Sequence, residues 1–230
     1  MPRLVTLGCG TGVGKTHVSR ALLAALGRAG QPCVGLKPIE TGIPDATHSP
    51  NSDAATLSRA STVHLQAKHP LYAFAEPISP HLAARREGVE IELAAVAAWV
   101  AACETEALRI MPDRAPYILI ETAGGAFSPA SSAATNFDLA LALEPAIWIL
   151  IAPDALGVLH DVTATLGAMR ARGRAPDHVV LSAAREPDAS TGTNAFELAT
   201  LGIVQPSATL ARNDDRGIDA LVAALLAAGE

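Results

Sequence analysis

The sequence has few cysteines, few aromatic side chains, no excess of basic residues and no long apolar run, and each shortage excludes a class of protein. Cys9, Cys33 and Cys103 are far apart and lack the spacing of a zinc site or a disulfide framework. A formal net charge of -6 argues against a broad nucleic-acid-binding face, which needs clustered Lys and Arg. The sequence lacks both a signal-peptide pattern and an uncharged apolar stretch of about 20 residues that would span a bilayer. We therefore expect a cytoplasmic protein with reduced thiols, no nucleic-acid partner and no membrane segment.

Hydrophobic residues make up 50% of the 230 residues but aromatic residues only 3%, which favours helices packed on a parallel sheet. Apolar runs bounded by turn residues predict buried strands at Leu4–Leu7, Cys33–Leu36, Tyr117–Ile120, Ala146–Ile151 and His178–Leu181. Ala-rich segments with helical spacing predict helices at Thr16–Ala29, Ile91–Ile110, Asp161–Ala171 and Gly217–Ala228. This alternation predicts an α/β fold: one domain over residues 1–230 with a doubly wound, mostly parallel sheet flanked by helices, and right-handed crossovers.

Two polar segments, Pro38–Asn51 and Ala123–Ala134, have no periodic apolar pattern and are predicted to be loops. The second segment follows a predicted strand. In open α/β sheets ligands gather beyond the carboxyl ends of the strands, so a loop placed there is a candidate for the site. The order of the strands in the sheet stays open on the sequence alone.

A glycine-rich segment from Gly8 to Thr16 follows the first predicted strand and opens the first predicted helix, the context of a phosphate-binding loop. Glycines let the backbone fold closely around phosphates, so that successive N–H groups and the helix N-terminus face the anion. Lys15 adds a mobile positive charge for the β- and γ-phosphates, and the Thr16 hydroxyl is placed to ligate Mg²⁺. The residues expected to bind the nucleotide here are Gly12, Val13, Gly14, Lys15, Thr16 and His17.

The alternative is a glycine-rich turn that only joins a strand to a helix, and the Gly-Lys-Thr ending argues against it. The spacing is nevertheless unusual, because the usual pattern has glycine five places before Gly14, where this chain has Cys9. Counted from Gly8, the loop is one residue longer. Partition and septum-site ATPases carry a signature lysine early in such a loop, and the corresponding residue here is Gly10.

Together with this long loop, four further segments resemble the motifs of dethiobiotin synthetases, in the same order and at similar spacing. They are Lys37-Pro-Ile-Glu-Thr41-Gly42, Asn51-Ser-Asp53-Ala54, Glu76-Pro-Ile-Ser-Pro80-His81 and Glu121-Thr-Ala-Gly124-Gly125. Each short match is weak alone, but all of them in sequence are hard to obtain by accident. The chain resembles this family over most of its length.

The resemblance implies a late enzyme of biotin synthesis that converts 7,8-diaminononanoate, CO2 and ATP into dethiobiotin, ADP and phosphate. An amine attacks CO2 to give a carbamate, whose oxygen attacks the γ-phosphorus. The second amine then expels phosphate from the carbamic-phosphoric anhydride. Every intermediate is anionic, so catalysis rests mainly on positioning and fixed positive charge. The implied catalytic residues are Lys15, Lys37 and Thr41, with Lys37 expected to hold the carbamate.

The resemblance also implies that Thr16, Asp53 and Glu121 hold Mg²⁺, which prefers oxygen ligands and keeps several waters. Simpler structural roles stay open for three of the candidates. Asp53 would cap the helix expected to start at Asn51–Asp53, and Glu121 would be a polar strand end. Lys37 would be a lysine that extends from a strand end toward solvent.

The segment that follows the predicted strand at Ala146–Ile151 looks like the family loop that binds the substrate carboxylate. In the family this loop acts across a homodimer interface. Backbone N–H groups at a helix start can bind the anion there. The substrate-binding residues that the resemblance implies are Thr11, Lys37, Thr41, Gly124, Gly157, Val158, Leu159 and His160. Two more residues, Ser182 and Pro206, are implied to bind the nucleotide.

The chain departs from the family pattern at several positions. Thr122 replaces the first glycine of Glu-Gly-Ala-Gly-Gly, and a β-branched residue is costly there if that position needs φ > 0. Ser182 and Ala183 stand where an asparagine and an aspartate usually read adenine, and Leu159 replaces an asparagine. Because an amide for the base edge is absent, we expect weak discrimination between ATP and other nucleoside triphosphates.

Two other functions stay open. One is a nucleotide-dependent switch of the partition or septum-site type, against which Gly10 and the low basic content count. The other is a paralogue that keeps the nucleotide site but acts on another amine or carboxylate, since the altered motifs lie on the substrate side. Diamine- and bicarbonate-dependent ADP release would distinguish the synthetase from both.

Overall fold

The computed structural model describes residues 1–44, 49–66, 69–212 and 214–227. The strands in these ranges are β1 (Arg3–Gly8), β2 (Cys33–Leu36), β3 (Ile39–Thr41), β4 (Tyr72–Phe74), β5 (Tyr117–Glu121), β6 (Ile147–Asp154), β7 (His178–Ala183) and β8 (Ala208–Leu210). The helices are α1 (Lys15–Arg28), α2 (Asp53–Ala60), α3 (Pro80–Glu87), α4 (Leu93–Ile110), α5 (Asn136–Ala142), α6 (Val158–Ala171), α7 (Asn194–Thr200) and α8 (Asp219–Ala227), with a 3-10 turn at Asp215–Ile218 before α8.

The main sheet has the strand order β2-β5-β1-β6-β7-β8, and every neighbouring pair is parallel. Strands β3 and β4 form a separate parallel pair. After β1 the chain forms β2 at one edge and returns inward to place β5 between β2 and β1. It then continues outward on the other side of β1 through β6, β7 and β8. The crevice beyond the carboxyl end of β1 therefore lies at the point where the strand order reverses, which is where open α/β sheets bind ligands.

The central strands are continuously apolar because both faces of the sheet are covered. On one face Leu4 packs with Leu22 of α1 in a cluster that includes α8. On the other face Val5 packs in a cluster with residues of α4, α5 and α6, including Phe137, which meets Trp148 edge to face at 5.2 Å. Both faces of β1 are thereby held, so its carboxyl end is a rigid base for the loop that follows.

The predicted α/β class and the mostly parallel, doubly wound sheet are confirmed. The prediction that Pro38–Asn51 is entirely loop was wrong, because β3 lies within it; residues 45–48 fall outside the described residues. A three-residue strand has no apolar period to detect, and β3 is formed by pairing with β4.

Several predicted helix bounds differ from the structure by one to three residues. Helix α6 begins at Val158, three residues before the predicted Asp161, because Gly157 at φ 96° forms its N-cap. The last predicted helix begins instead as a 3-10 turn from Asp215, and its predicted end at Ala228 lies outside the described residues. Within the described ranges, none of the helices has the length and apolarity needed to cross a membrane.

Candidate active site

The segment from Gly8 to Thr16 wraps the N-terminus of α1, as the phosphate-loop pattern predicts. Gly14 has φ 90° and is the N-cap of α1, and Gly12 has φ 73°. A Cβ at Gly14 would lie 2.1 Å from the Ser182 hydroxyl oxygen, so the loop also needs glycine there to pass over β7. This geometry turns backbone N–H groups and the positive end of the helix toward one cleft.

The ammonium of Lys15 is buried at this helix N-terminus, with the residue only 7% exposed. Burial lowers its pKa to about 8, and repulsion by Lys37 acts in the same direction, while Glu121 and Asp53 oppose the shift. The site therefore holds a cation that lacks a sufficient counter-charge. A bound phosphate would supply that charge and favour the protonated lysine.

Lys37, just beyond the carboxyl end of β2, is the centre of a buried network. Its ammonium donates to Glu121 Oε1 at 2.7 Å and to the Thr122 carbonyl at 3.2 Å, and it lies 3.0 Å from Asp53 Oδ2. The simpler role of a lysine that extends to solvent does not describe this side chain, which is 4% exposed. Burial opposes its charge, but Glu121 and Asp53 outweigh that effect and raise the pKa of Lys37 above its usual value.

The hydroxyl of Thr16 joins the same network on the side of α1. Thr16 Oγ1 lies 2.8 Å from Asp53 Oδ1 and 2.8 Å from Glu121 Oε1, and it donates to one of them at a time. Burial opposes the charge of Asp53, yet the Lys37 ammonium prevails and lowers the pKa of that carboxyl below its usual value. Asp53 is therefore ionised at neutral pH and presents oxygen ligands beside the phosphate loop.

These oxygens fit a magnesium ion. Glu121 Oε2 is buried without a hydrogen-bond partner among the described residues, although its other oxygen is bound on two sides. Asp53 is not the helix cap, because the Ser52 side chain accepts from Ala55 N at 3.1 Å and serves as the N-cap. One hydroxyl and two carboxylates leave room for water and phosphate oxygens, as Mg²⁺ prefers.

The loop after β5 forms another wall of the site, and Asn136 of α5 fixes its backbone. The Asn136 side-chain amide donates to the carbonyls of Ala123 at 2.5 Å and Gly125 at 2.9 Å. Gly124 between them has φ 85°, and a Cβ built on it would meet Thr11 Oγ1 at 3.6 Å. The two loops thus lie against each other, which places Thr11 and Gly124 on the same wall.

The family departure at Thr122 does not strain the backbone. No described residue other than glycine has a positive φ, so a β-branched residue is compatible with this position. The Thr122 hydroxyl is buried and donates to the Thr6 carbonyl at 2.9 Å, and its backbone N–H donates to the same oxygen. The side chain therefore ties β5 to β1 directly beneath the site.

A single cleft of about 760 Å³ connects these groups. The predicted site residues that line it are Thr11, Gly12, Gly14, Lys15, Thr16, His17, Lys37, Thr41, Asp53, Glu121, Gly124 and Ser182. At the end near β7 it is also lined by Ala183, Arg185, Glu186 and Arg212, which sequence reasoning did not select as site residues.

Six predicted site residues are not part of the cleft lining: Val13, Gly157, Val158, Leu159, His160 and Pro206. Val13, Val158 and Pro206 are buried. His160 is exposed in the first turn of α6, and Leu156 just before it is 84% exposed. The α6 start thus has exposed residues that do not line the cleft of its own chain, although Ala155, two residues before Gly157, does line it.

Glu40 is a cleft residue to which sequence reasoning gave no role. It lies on β3 between Lys37 and Thr41, and it is 5% exposed. Its carboxylate accepts from the backbone N–H groups of Asp53 at 2.6 Å and Ala54 at 3.0 Å. The only signal in the sequence was its place inside the Lys-Pro-Ile-Glu-Thr-Gly segment, which does not reveal these partners.

Comparisons with known proteins agree with this geometry. A family model described as an AAA domain matches residues 3–214. An ATP-dependent dethiobiotin synthetase from Anaeromyxobacter dehalogenans is 37% identical over 215 residues, covering 91% of this chain and 90% of that protein. The protein of the same name from Anaeromyxobacter sp. strain K is 38% identical over 215 residues, with the same coverage.

The fold has more distant structural neighbours. The MinC:MinD cell division protein complex of Aquifex aeolicus contains a chain that superposes with a TM-score of 0.53 at 11% identity, covering 100% of this chain and 96% of its own. That likeness concerns the fold alone. In contrast, identity of 37–38% over nine-tenths of both sequences shows that this chain belongs to the ATP-dependent dethiobiotin synthetase family.

Proposed function

We propose that this chain catalyses the ATP-dependent carboxylation and ring closure of 7,8-diaminononanoate with CO2, giving dethiobiotin, ADP and phosphate. The observation that carries the proposal is the convergence of two lysines on one cleft, Lys15 from the phosphate loop and Lys37 from the end of β2. Each intermediate of this reaction is an anion, and fixed cations in a partly desolvated cleft stabilise developing negative charge.

Different residues bind the phosphates and the carbamate at the two ends of the cleft. Lys15 and the N–H groups of the loop bind the β- and γ-phosphates. Lys37 holds the carboxylate of the newly formed carbamate, with Thr41 and Thr11 as hydroxyl partners for the carbamate or diamine. The carbamate oxygen is thereby aimed at the γ-phosphorus while ADP leaves, and positioning of this kind lowers the entropic part of the barrier.

After phosphoryl transfer, the second amine attacks the carbonyl carbon of the carbamic-phosphoric anhydride. The bond to the phosphate oxygen breaks, and the amine proton passes to water or to the departing phosphate. Thr16, Asp53 and Glu121 would hold the Mg²⁺ ion. When bound, this ion neutralises charge on the β- and γ-phosphate oxygens. Asp53 and Glu121 would then be shared between the metal and Lys37, whose ammonium would be available to the carbamate.

The far end of the diamine substrate carries a carboxylate, for which we propose the α6 start of a second copy of the chain. Gly157 and His160 at this helix start are exposed and do not line the cleft of their own subunit, which supports this arrangement. We accordingly propose a cytoplasmic homodimer of single-domain subunits, with Ser182 and Pro206 at the nucleotide end.

The test is an assay of purified protein with ATP, Mg²⁺, bicarbonate and 7,8-diaminononanoate, with mass detection of the ring-closed product. The expected result is stoichiometric dethiobiotin, ADP and phosphate. ADP release that ignores the diamine and responds to a protein or DNA partner would overturn the proposal in favour of a switch ATPase. ADP release driven only by a different amine or carboxylate would identify a paralogue instead.

The end of the cleft where the nucleobase is expected to bind predicts activity with several nucleoside triphosphates. Ser182 is fully buried, its hydroxyl lies 3.4 Å from His17 Nδ1, and Ala183 next to it offers no polar side chain. We expect kcat/KM for ATP, CTP and GTP to agree within about tenfold, because no side-chain amide is present at these positions to read the adenine edge. Initial rates with each nucleotide measure this directly.

Ser182→Asn tests the same prediction, because it introduces the side-chain amide that the family usually has at this position. An asparagine bonded to the adenine edge contributes roughly 1–3 kcal/mol of discrimination, so this variant should gain a preference for ATP of about tenfold. A preference for ATP above about a hundredfold in the unaltered protein, as large as a good base-edge contact can provide, would contradict the prediction.

A further inference from the structure

Glu40 connects the small β3–β4 sheet to the N-terminus of α2. Its two carboxylate oxygens accept from the first two N–H groups of the helix, those of Asp53 at 2.6 Å and Ala54 at 3.0 Å. The side chain crosses from another element, since Glu40 pairs with Ala73 in the β3–β4 register. The contact therefore fixes where the helix starts relative to the strand.

Glu40 binds two N–H groups at the start of α2 that the Ser52 cap does not reach. Ser52 already caps α2 by accepting from Ala55 N at 3.1 Å. Glu40 is 5% exposed, and burying a carboxylate costs several kcal/mol unless its hydrogen bonds compensate. A short neutral side chain on the helix itself would satisfy N–H groups at lower cost.

The position of Asp53 is what this contact controls. The Asp53 backbone is held by Glu40, while the Asp53 side chain reaches Lys37 Nζ at 3.0 Å and Thr16 Oγ1 at 2.8 Å. As the first residue of α2, Asp53 has no preceding helical turn to fix it. A shift of the helix start would carry the Asp53 carboxylate away from Thr16.

We propose that Glu40 is a positioning residue, which anchors the Asp53 backbone so that the Asp53 carboxylate reaches the magnesium–nucleotide site. This inference rests on the proposed role of Asp53 as a metal ligand. Mutating a group that orients a metal ligand typically lowers metal affinity by about 10–100-fold. Glu40 acts through Asp53 and does not touch the reacting atoms.

The test measures metal binding without turnover. Glu40→Gln keeps the shape but turns one acceptor into a donor that faces an N–H group. Calorimetric titration of Mg²⁺ into protein saturated with a non-hydrolysable ATP analogue should give an affinity about tenfold weaker than for the unaltered protein. Binding of the analogue in EDTA should stay within about twofold, since Glu40 contacts only the metal-ligand side. In the full assay the Mg²⁺ needed for half-maximal rate should rise, with kcat recovered at saturating Mg²⁺.

The matched control is Ser52→Ala, which removes a hydrogen bond from the same helix end without touching the Asp53 N–H. Loss of an N-cap costs roughly 1 kcal/mol, so this variant should lower Tm while its Mg²⁺ affinity stays within about twofold. If Ser52→Ala weakens Mg²⁺ binding as much as Glu40→Gln does, the effect belongs to helix stability and the inference fails. Glu40→Asp, too short to reach both N–H groups, gives a second variant with the same expected loss.

A double-mutant cycle with Asp53→Asn separates this inference from the proposed function. If Glu40 acts through Asp53, the Glu40→Gln change should weaken Mg²⁺ binding by less than about twofold in the Asp53→Asn background. Additive losses of Mg²⁺ affinity would overturn the inference. It would also be overturned if Asp53→Asn binds Mg²⁺ weakly while Glu40→Gln binds it as tightly as the unaltered protein. An unchanged Mg²⁺ affinity in Asp53→Asn itself would instead remove the metal role from the proposed function, and the inference with it.

Discussion

Replacing Lys37 with methionine is expected to abolish formation of the ring-closed product while leaving binding of the magnesium–nucleotide nearly intact. Lys37 forms ion pairs with Glu121 at 2.7 Å and Asp53 at 3.0 Å, and within the described part of the chain no other side chain forms an ion pair with either carboxylate. Removing one group that stabilises a developing anion typically costs about 10²–10³ in rate, and the loss of a full positive charge should reach at least the upper value. The measurement is product formation by mass, with nucleotide affinity by calorimetry. Lys37→Ala should behave in the same way.

The same variant has a second signature in stability. Without Lys37, Glu121 and Asp53 are close together and lack their cation, and an uncompensated buried charge costs roughly 3–5 kcal/mol. Tm should fall in EDTA, and Mg²⁺ and nucleotide should then raise it by about as much as they raise the Tm of the unaltered protein, because the affinities are nearly equal. Lys37→Met/Glu121→Gln removes the excess negative charge and should restore Tm in EDTA without restoring activity. Product formation by Lys37→Met at a rate near that of the unaltered protein would contradict its assignment to the carbamate.

The strand order explains why the sequence predicted the participants of the network but not its geometry. Lys37 follows β2 and Glu121 ends β5, 84 residues later. Both positions could be read from apolar runs that stop at a charged residue. That β5 lies between β2 and β1, so that these two strand ends are neighbours, is a tertiary result that no local pattern encodes.

Glu40 illustrates the opposite case, in which neither the element nor the role was predictable. Strand β3 has three residues, and its partner β4 also has three, so the pattern of alternation is too short to detect. The role of Glu40 depends on the approach of α2, whose first N–H groups have no partner within the helix and come near Glu40 only in the folded chain. The phosphate loop was predictable because its chemistry is local: glycine conformation, helix start and lysine lie within a few residues of one another.

Gly14→Ala is the second substitution with a large expected effect, because two independent penalties act at this position. The residue has φ 90°, where an alanine is strained by roughly 1–3 kcal/mol. Its Cβ would also lie 2.1 Å from Ser182 Oγ and 2.8 Å from Ser182 Cβ, on a side chain that is fully buried in β7. The loop must move, and a shift of about 1 Å in a positioning group costs about 100-fold. We expect a loss of nucleotide affinity of that size, measured by calorimetry.

The two penalties can be separated with variants that this chain offers. Gly30→Ala has the strain of φ 69° with no atom within 4 Å of the new Cβ, and it lies outside the cleft, so it should lower Tm but leave nucleotide affinity within about twofold. Gly14→Ala/Ser182→Gly removes the contact and keeps the strain. In the Ser182→Gly background, Gly14→Ala should lower nucleotide affinity by about tenfold less than it does in the unaltered protein, because only the backbone strain remains. If it regains nothing, backbone strain accounts for the whole requirement for glycine. Wild-type affinity in Gly14→Ala would mean that the loop does not need this conformation to hold a phosphate.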